Sequence, residues 1–273
     1  MTVEMEKSGG GGAGTPVALL KATGMRLADI LLPPRCAACN HQTALSGAVC
    51  AKCWREIDFI ERPFCARLGL PFPFVVGEDQ AGDEIDDYTL SAEAIAHPPV
   101  FDRARAVAVY DGPARHLVTA LKFGDRTDLA PVMARWMARA GAELLADADL
   151  IVPVPLHNRR LRQRKHNQSA LLVNALARVT GKNAVPDLLR RTRSTRAQVG
   201  LNARQRTANV RGAFAVAPKY AARLDGARVL LVDDVITTGA TINASTRALM
   251  GCGAGAVDVL SFARVVAPAQ IPI

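Results

Sequence analysis

The chain has 273 residues, 49% of them hydrophobic, and a formal net charge of +9 from 34 Lys+Arg against 25 Asp+Glu. That length holds one large domain or two small ones with ample material for a core, and the basic excess points to an anionic partner such as pyrophosphate, a nucleotide or nucleic acid. Aromatic residues are only 5%, which argues against a surface that stacks many bases on rings. No apolar run reaches the roughly 18 residues a membrane-spanning helix needs. The N-terminus, with Glu4, Glu6 and Gly9 to Gly12, lacks the basic and apolar regions of a secretory signal, so a cytoplasmic location is expected. In that compartment six cysteines, four of them in two CxxC pairs, read as metal ligands rather than disulfides.

Residues 1–16 are Gly-rich and read as a disordered leader. From Val17 to Leu32 the apolar residues Leu19, Leu20, Met25, Leu27, Ile30 and Leu31 recur at helical spacing, and the helix stops at Pro33-Pro34. Cys36-x-x-Cys39 and Cys50-x-x-Cys53 follow. Each knuckle offers two soft ligands from one tight turn, and together they match the tetrahedral demand of one structural Zn²⁺ ion. His41, beside Cys39, could compete as a ligand, though such a neighbour is more often a surface residue. Cys65 opens a third knuckle whose second cysteine position is Leu68, and Ser91-Ala92-Glu93-Ala94 stands where a fourth knuckle would be. One zinc site is therefore expected, in a unit spanning 17–70. Residues 71–102 mix Pro, Gly and acids and read as a linker.

From Arg103 onward the pattern changes to a unit spanning 103–273. Ala104 to Tyr110 reads as a strand, Ala114 to Phe123 and Leu129 to Leu145 as helices, and Asp149 to Val154 as a strand leaving at Pro155-Leu156-His157. Trp136 and Met137 read as core. A basic run follows (Arg159, Arg160, Arg162, Arg164, Lys165), then a helix from Ser169 to Val179. A second basic region covers 190–211, with Gln198, Asn202 and Asn209 among its arginines. Gly212 to Val216 reads as an edge strand and Val257 to Arg264 as a last buried strand. The glycines of 251–255 follow a helix instead of preceding one, so they read as a helix stop rather than a dinucleotide loop. Alternating helices and short buried strands indicate a parallel α/β sheet, whose ligands bind beyond the carboxyl ends of the strands. The segments 149–157 and 229–241 should therefore meet at one face.

The stretch VLLVDDVITTGAT at 229–241 carries the most chemistry. An apolar strand runs into Asp233 and Asp234, then a small-residue loop, then a helix from Ile242 to Met250. A helix N-terminus presents unpaired N–H groups to an anion, and Thr and Gly let that anion approach closely. The carboxylates can accept from sugar hydroxyls or help hold a divalent cation. The combined ligand is a sugar phosphate.

This run resembles the phosphoribosyl-pyrophosphate (PRPP) signature of type I phosphoribosyltransferases. The zinc knuckles ahead of it, Leu121-Lys122-Phe123-Gly124-Asp125 and the later Arg-x-Arg-x-Thr and Arg-x-x-Asn-Val patterns resemble the ComF family, competence-associated proteins with an N-terminal zinc ribbon. The resemblance implies a type I phosphoribosyltransferase fold, a parallel sheet flanked by helices, behind a small zinc-ribbon domain. It implies that Asp233 and Asp234 are the acidic pair and that Val235, Ile236, Thr237, Thr238, Gly239, Ala240 and Thr241 bind PRPP. Pyrophosphate would lie against the loop of Val154, Pro155, Leu156 and His157, with Arg160, Arg164, Asn167 and Gln168. A closing lid over 190–211 would bring Gln198, Arg206 and Asn209. At 164–168 the family's Arg-Gly-aromatic-Asn-Gln is here Arg-Lys-His-Asn-Gln.

Two functions follow from the resemblance. The first is a phosphoribosyltransferase that binds PRPP with Mg²⁺ and moves phosphoribose to a nitrogen acceptor. The second is a non-catalytic factor that handles single-stranded DNA during uptake, alongside a competence helicase or DNA-processing proteins.

Overall fold

The structure is a computed structural model that describes residues 33–44, 47–72, 88–157, 161–162, 165–193 and 203–266. The leader, the helix read over Val17 to Leu32, part of the linker, and Arg159, Arg160, Arg164, Arg196, Gln198 and Asn202 lie outside these residues. The described chain begins with α1 (Ala51–Arg55) and α2 (Ala92–Ala96). The α/β unit follows: β1 (Ala104–Val109), α3 (Gly112–Phe123), α4 (Ala130–Ala140), α5 (Ala142–Asp147), β2 (Leu150–Pro153) and α6 (Gln168–Thr180). After β3 (Leu189–Arg191), α7 (Ala203–Val210) and β4 (Phe214–Val216) come β5 (Arg228–Ile236), α8 (Ala240–Met250) and β6 (Ala256–Arg264).

Four strands form one parallel sheet in the order β1-β6-β5-β2. Val229 to Val232 of β5 are all fully buried, the run of apolar residues expected of a strand covered on both faces. One face packs against Leu117 and Leu121 of α3, Met133 and Met137 of α4, and Leu172 and Leu176 of α6. The other packs against Ile242 and Leu249 of α8, and against Leu189 and Phe214 of the β3–β4 pair. Both sheet edges are covered, which removes the unpaired ladder groups that promote association. Residues 58–60 run antiparallel along β1, through Ile60 N–H to the Val107 carbonyl and Val109 N–H to the Asp58 carbonyl. Ala184 bridges to Ile151 of β2.

Two sequence expectations change. The single helix over Leu129 to Leu145 is broken at Gly141, because the chain there presses on β6: a Cβ at Gly141 would stand 2.7 Å from a Leu260 methyl. The segment Gly212 to Val216 is not an edge strand of the main sheet. Phe214–Val216 pairs antiparallel with Leu189–Arg191 in a separate two-stranded sheet, which forms the root of the 192–213 segment. The arginine-rich β3 carries no apolar alternation by which to read it.

Within the span read as a linker, residues 88–102 are docked. Ser91 caps α2 by accepting the Ala94 N–H, and Ala94 and Phe101 are buried. Val100 N–H donates to the Asn243 side chain, and Asp102 exchanges hydrogen bonds with Val257. At the amino end of β6 the fully buried Asp258 accepts from Arg103 at 2.7 and 3.0 Å and from Arg228 at 3.1 Å. Burying a carboxylate costs less when it is paired and hydrogen-bonded in this way. This cluster lies at the opposite end of the strands from the cleft and is structural.

Candidate functional site

The sulfurs of Cys36, Cys39, Cys50 and Cys53 all lie within 4.8 Å of one another, the one such cluster among the described residues. Cys39 Sγ and Cys50 Sγ are 3.7 Å apart. Zn–S bonds of about 2.3 Å at tetrahedral angles set S···S edges of about 3.8 Å, so the donor set fits a structural zinc. Cys36 Sγ also accepts the Cys50 N–H at 3.3 Å, which ties one knuckle to the other. His41 is exposed, and its side chain is not part of the cluster.

The second ribbon has the same backbone logic without the ligands. Cys65 Sγ, fully buried, accepts N–H groups from Leu68 at 3.4 Å and Ser91 at 3.2 Å, which brings the third and fourth knuckle positions together. Leu68 and Ala94 join Cys65 in an apolar cluster. Apolar packing replaces coordination there.

The main cleft follows from strand lengths. β2 pairs with β5 only as far as Pro153 opposite Val232. Beyond that point β5 continues through Asp233, Asp234, Val235 and Ile236 against β6 alone. The open side admits the loop after β2 and the N-terminus of α6, giving a cleft of about 600 Å³ at the carboxyl ends of the strands. The segments 149–157 and 229–241 meet here.

Asp233 accepts from Ser169 Oγ and from the Asp234 N–H, each at 2.9 Å. Asp234, buried, is held 2.9 Å from Lys122 Nζ. Burial, together with the neighbouring Asp234 carboxylate, pushes Asp233 up to about 7, against the pull of Lys122 and Ser169. Gly239 heads α8 at φ 70, a left-handed conformation that favours glycine, and no side chain caps the helix. A helix start of this kind is where backbone N–H groups can meet an anion. Thr237, Gly239, Ala240 and Thr241 line the cleft with Val235 and Ile236, while Thr238 is exposed outside its wall.

Of the other residues singled out in the sequence, Pro155, Leu156, Gln168 and Arg206 line the cleft. His157 and Asn209 stand outside its wall. Asn167 works on the scaffold: its Oδ1 caps α6 by accepting the Ser169 N–H, and its Nδ2 donates to the Val154 carbonyl at 3.1 Å. The sequence reading did not single out Tyr110, Lys122, Phe123 and Ser169, which also line the cleft, and it had Arg191 only as part of the basic 190–211 segment. The Leu121–Asp125 pattern was the available signal for two of them.

The raised Asp233 has a consequence for stability. Its folded pKa of about 7 lies above the ordinary carboxyl value of 3.8, so between these values the folded state holds the proton that the unfolded state has released. Stability falls as pH rises from about 4 to about 7, and the penalty is complete above 7. Asp233→Asn is expected to flatten this slope, so that its stability relative to the unaltered chain is higher at pH 8 than at pH 5. Urea unfolding at pH 5 and pH 8 measures both, and equal slopes in the two proteins would contradict the assignment.

A parallel sheet with its acidic pair and uncapped helix at the strand ends, joined to a four-cysteine ribbon, defines a phosphoribosyltransferase-type α/β protein with an N-terminal zinc ribbon. Residues 27–85 match the double zinc ribbon domain, and residues 167–268 match the phosphoribosyl transferase domain. The chain is 30% identical over 242 residues to the DNA utilization protein YhgH of Escherichia coli, covering 86% of this chain and 99% of that one. It is 28% identical to Competence protein F of Haemophilus influenzae, covering 84% and 96%. A solved orotate phosphoribosyltransferase from Aeropyrum pernix aligns over 52% of this chain and 75% of its own, at 20% identity and a TM-score of 0.31. The chain belongs to the ComF family.

Proposed function

We propose that the cleft binds PRPP with Mg²⁺ and transfers its phosphoribosyl group to a nitrogen acceptor. The observation that carries this reading is the shared wall: an acidic pair, an uncapped helix N-terminus and the Pro155–Leu156 loop face one space. The 5-phosphate takes the N–H groups and hydroxyls of 237–241. The ribose hydroxyls donate to Asp233 and Asp234. The diphosphate lies against 154–156, with Gln168 and the cationic Arg191 and Arg206 beside it. Mg²⁺ bound with the substrate would supply positive charge against the diphosphate, and Asp233 and Asp234 would be the carboxylates that help hold it. In the transfer the C1–O bond breaks and its electron pair leaves with pyrophosphate. The acceptor nitrogen forms the C1–N bond, and its proton passes to solvent. The arginines stabilise the charge that develops on the leaving group, and closure of the 190–211 segment excludes water from C1.

The test is a calorimetric titration of the full zinc-loaded chain with PRPP, with and without Mg²⁺. Saturable binding that pyrophosphate competes away is expected. An absence of heat at millimolar PRPP would remove this reading.

A second reading rests on the net charge of +9 and on relatives whose names refer to DNA utilization and competence. In it the basic segments hold a single-stranded DNA backbone, with a competence helicase or DNA-processing proteins as partners. Such binding weakens steeply with salt. Affinity for single-stranded DNA that is absent at low salt excludes it.

A further inference from the structure

Asp233 is held by two donors, and both take the same oxygen. Its Oδ1 accepts the Asp234 N–H from its own strand and Ser169 Oγ–H from α6, each at 2.9 Å. Sharing Oδ1 turns the other oxygen, Oδ2, away from both donors. The two donors differ in what they can fix. The Asp234 N–H is adjacent in the chain, and a carboxylate can turn about a single such contact. Ser169 is 64 residues away in sequence and buried. It approaches from a different element, so the pair of contacts sets the orientation of the carboxylate as well as its place.

Ser169 is fixed in turn by a closed circuit of hydrogen bonds. The Val232 carbonyl of β5 accepts the Val154 N–H at 2.9 Å. The Val154 carbonyl accepts from Asn167 Nδ2 at 3.1 Å. Asn167 Oδ1 accepts the Ser169 N–H at 3.1 Å, and the Ser169 hydroxyl returns to Asp233, the residue after Val232. The circuit bridges the gap where β2 stops at Pro153 opposite Val232. Val154 begins the loop read as the diphosphate wall, and Asp233 begins the acidic pair. Asn167 and Ser169 therefore set the spacing between the two. In PRPP the diphosphate is bonded to C1 of the ribose, so covalent geometry fixes the same spacing in the ligand. A site whose halves already stand at the required spacing gives up less freedom on binding.

Resting on the reading of the cleft as a PRPP site, we infer that Ser169 is a positioning residue for the ribose. It holds Asp233 so that Oδ2 faces the ribose hydroxyls, and Asn167 sets the place of that oxygen relative to the diphosphate loop.

The experiment titrates Mg²⁺–PRPP and Mg²⁺–pyrophosphate separately into the full zinc-loaded chain and three variants of it. Ser169→Ala is expected to lose about tenfold in PRPP affinity and to keep its pyrophosphate affinity within about twofold. Ser169→Thr keeps the hydroxyl and should restore PRPP affinity to within about threefold of the unaltered chain. Asn167→Ala frees the Val154 carbonyl as well as the Ser169 N–H, and it should weaken both ligands. A merely structural role for the start of α6 would weaken both ligands alike in Ser169→Ala, because Gln168, Pro155 and Leu156 line the same wall. That result overturns the proposal. So does unchanged PRPP affinity in Ser169→Ala, a loss in Ser169→Thr as large as in Ser169→Ala, or pyrophosphate affinity untouched in Asn167→Ala. If the unaltered chain fails to bind PRPP, the reading of the cleft falls and the role of Ser169 falls with it. PRPP binding that is indifferent to Ser169→Ala removes only the latter.

Discussion

Asp234→Asn is expected to weaken PRPP binding by about 100-fold, because a charge-assisted hydrogen bond to a ribose hydroxyl in a partly dehydrated cleft is worth roughly 1.5–3 kcal/mol. The fold should survive. Lys122, left without its carboxylate, has a side chain 20% exposed and can turn toward water, so no cation is stranded in the interior. A second effect distinguishes this substitution from a general loss of shape. The Asp234 charge is one of the two causes that hold Asp233 up, and Lys122 and Ser169 pull it down. With Asp234 neutral, the Asp233 titration should move toward the ordinary carboxylate range, and the pH dependence of stability between about 4 and 7 should shrink. Calorimetry for PRPP and urea unfolding across that range measure the two together. Unchanged PRPP affinity in a folded Asp234→Asn protein would sink the site assignment.

Removing the zinc should have the largest effect on stability. The ion is expected to hold the first ribbon together, since structural zinc sites contribute on the order of 10 kcal/mol in small ribbons and fingers. The loss should also reach the α/β unit. Trp54 of α1 packs on Phe59 at 4.9 Å and on Trp136 of α4 at 5.1 Å, and Trp136 stacks on Phe262 of β6 at 5.9 Å. Residues 58–60 also complete the free edge of β1. Cys53→Ser, or a strong chelator, is therefore expected to lower the melting temperature by about 10 °C or more and to change tryptophan fluorescence. Cys65→Ser is the control: it should leave one zinc per chain and cost less, because Cys65 accepts hydrogen bonds and is not among the clustered sulfurs. A zinc content that falls in Cys65→Ser, or that persists in Cys53→Ser, would contradict the single-site assignment.

Much of the chemistry was legible in the sequence because it is local. CxxC spacing brings two sulfurs into one turn, and two such turns suit one tetrahedral ion. Four apolar residues, two acids and a Thr/Gly loop describe a buried strand, its end and a helix start without reference to the rest of the chain. The apolar runs of β5 and β6 likewise announce a sheet covered on both faces. Even the degenerate knuckles at Cys65 and Ser91 could be read, since the loss of a cysteine is visible at a fixed spacing.

What the sequence could not decide depends on contacts between distant residues. The break at Gly141 comes from Leu260, and the β3–β4 pair joins segments separated by α7. Lys122 reads as an ordinary helix-end cation until β1 and β5 share a sheet and α3 brings it to Asp234. Asn167 is expected from the sequence to touch pyrophosphate, and only the structure shows its side chain also bridging the Val154 carbonyl and the start of α6. Residue type and spacing determined which groups bind zinc and which suit a sugar phosphate. Strand order alone decided which groups stand on opposite flanks of the acidic pair, because pairing between strands distant in sequence, not any local pattern, sets which strand ends stand side by side.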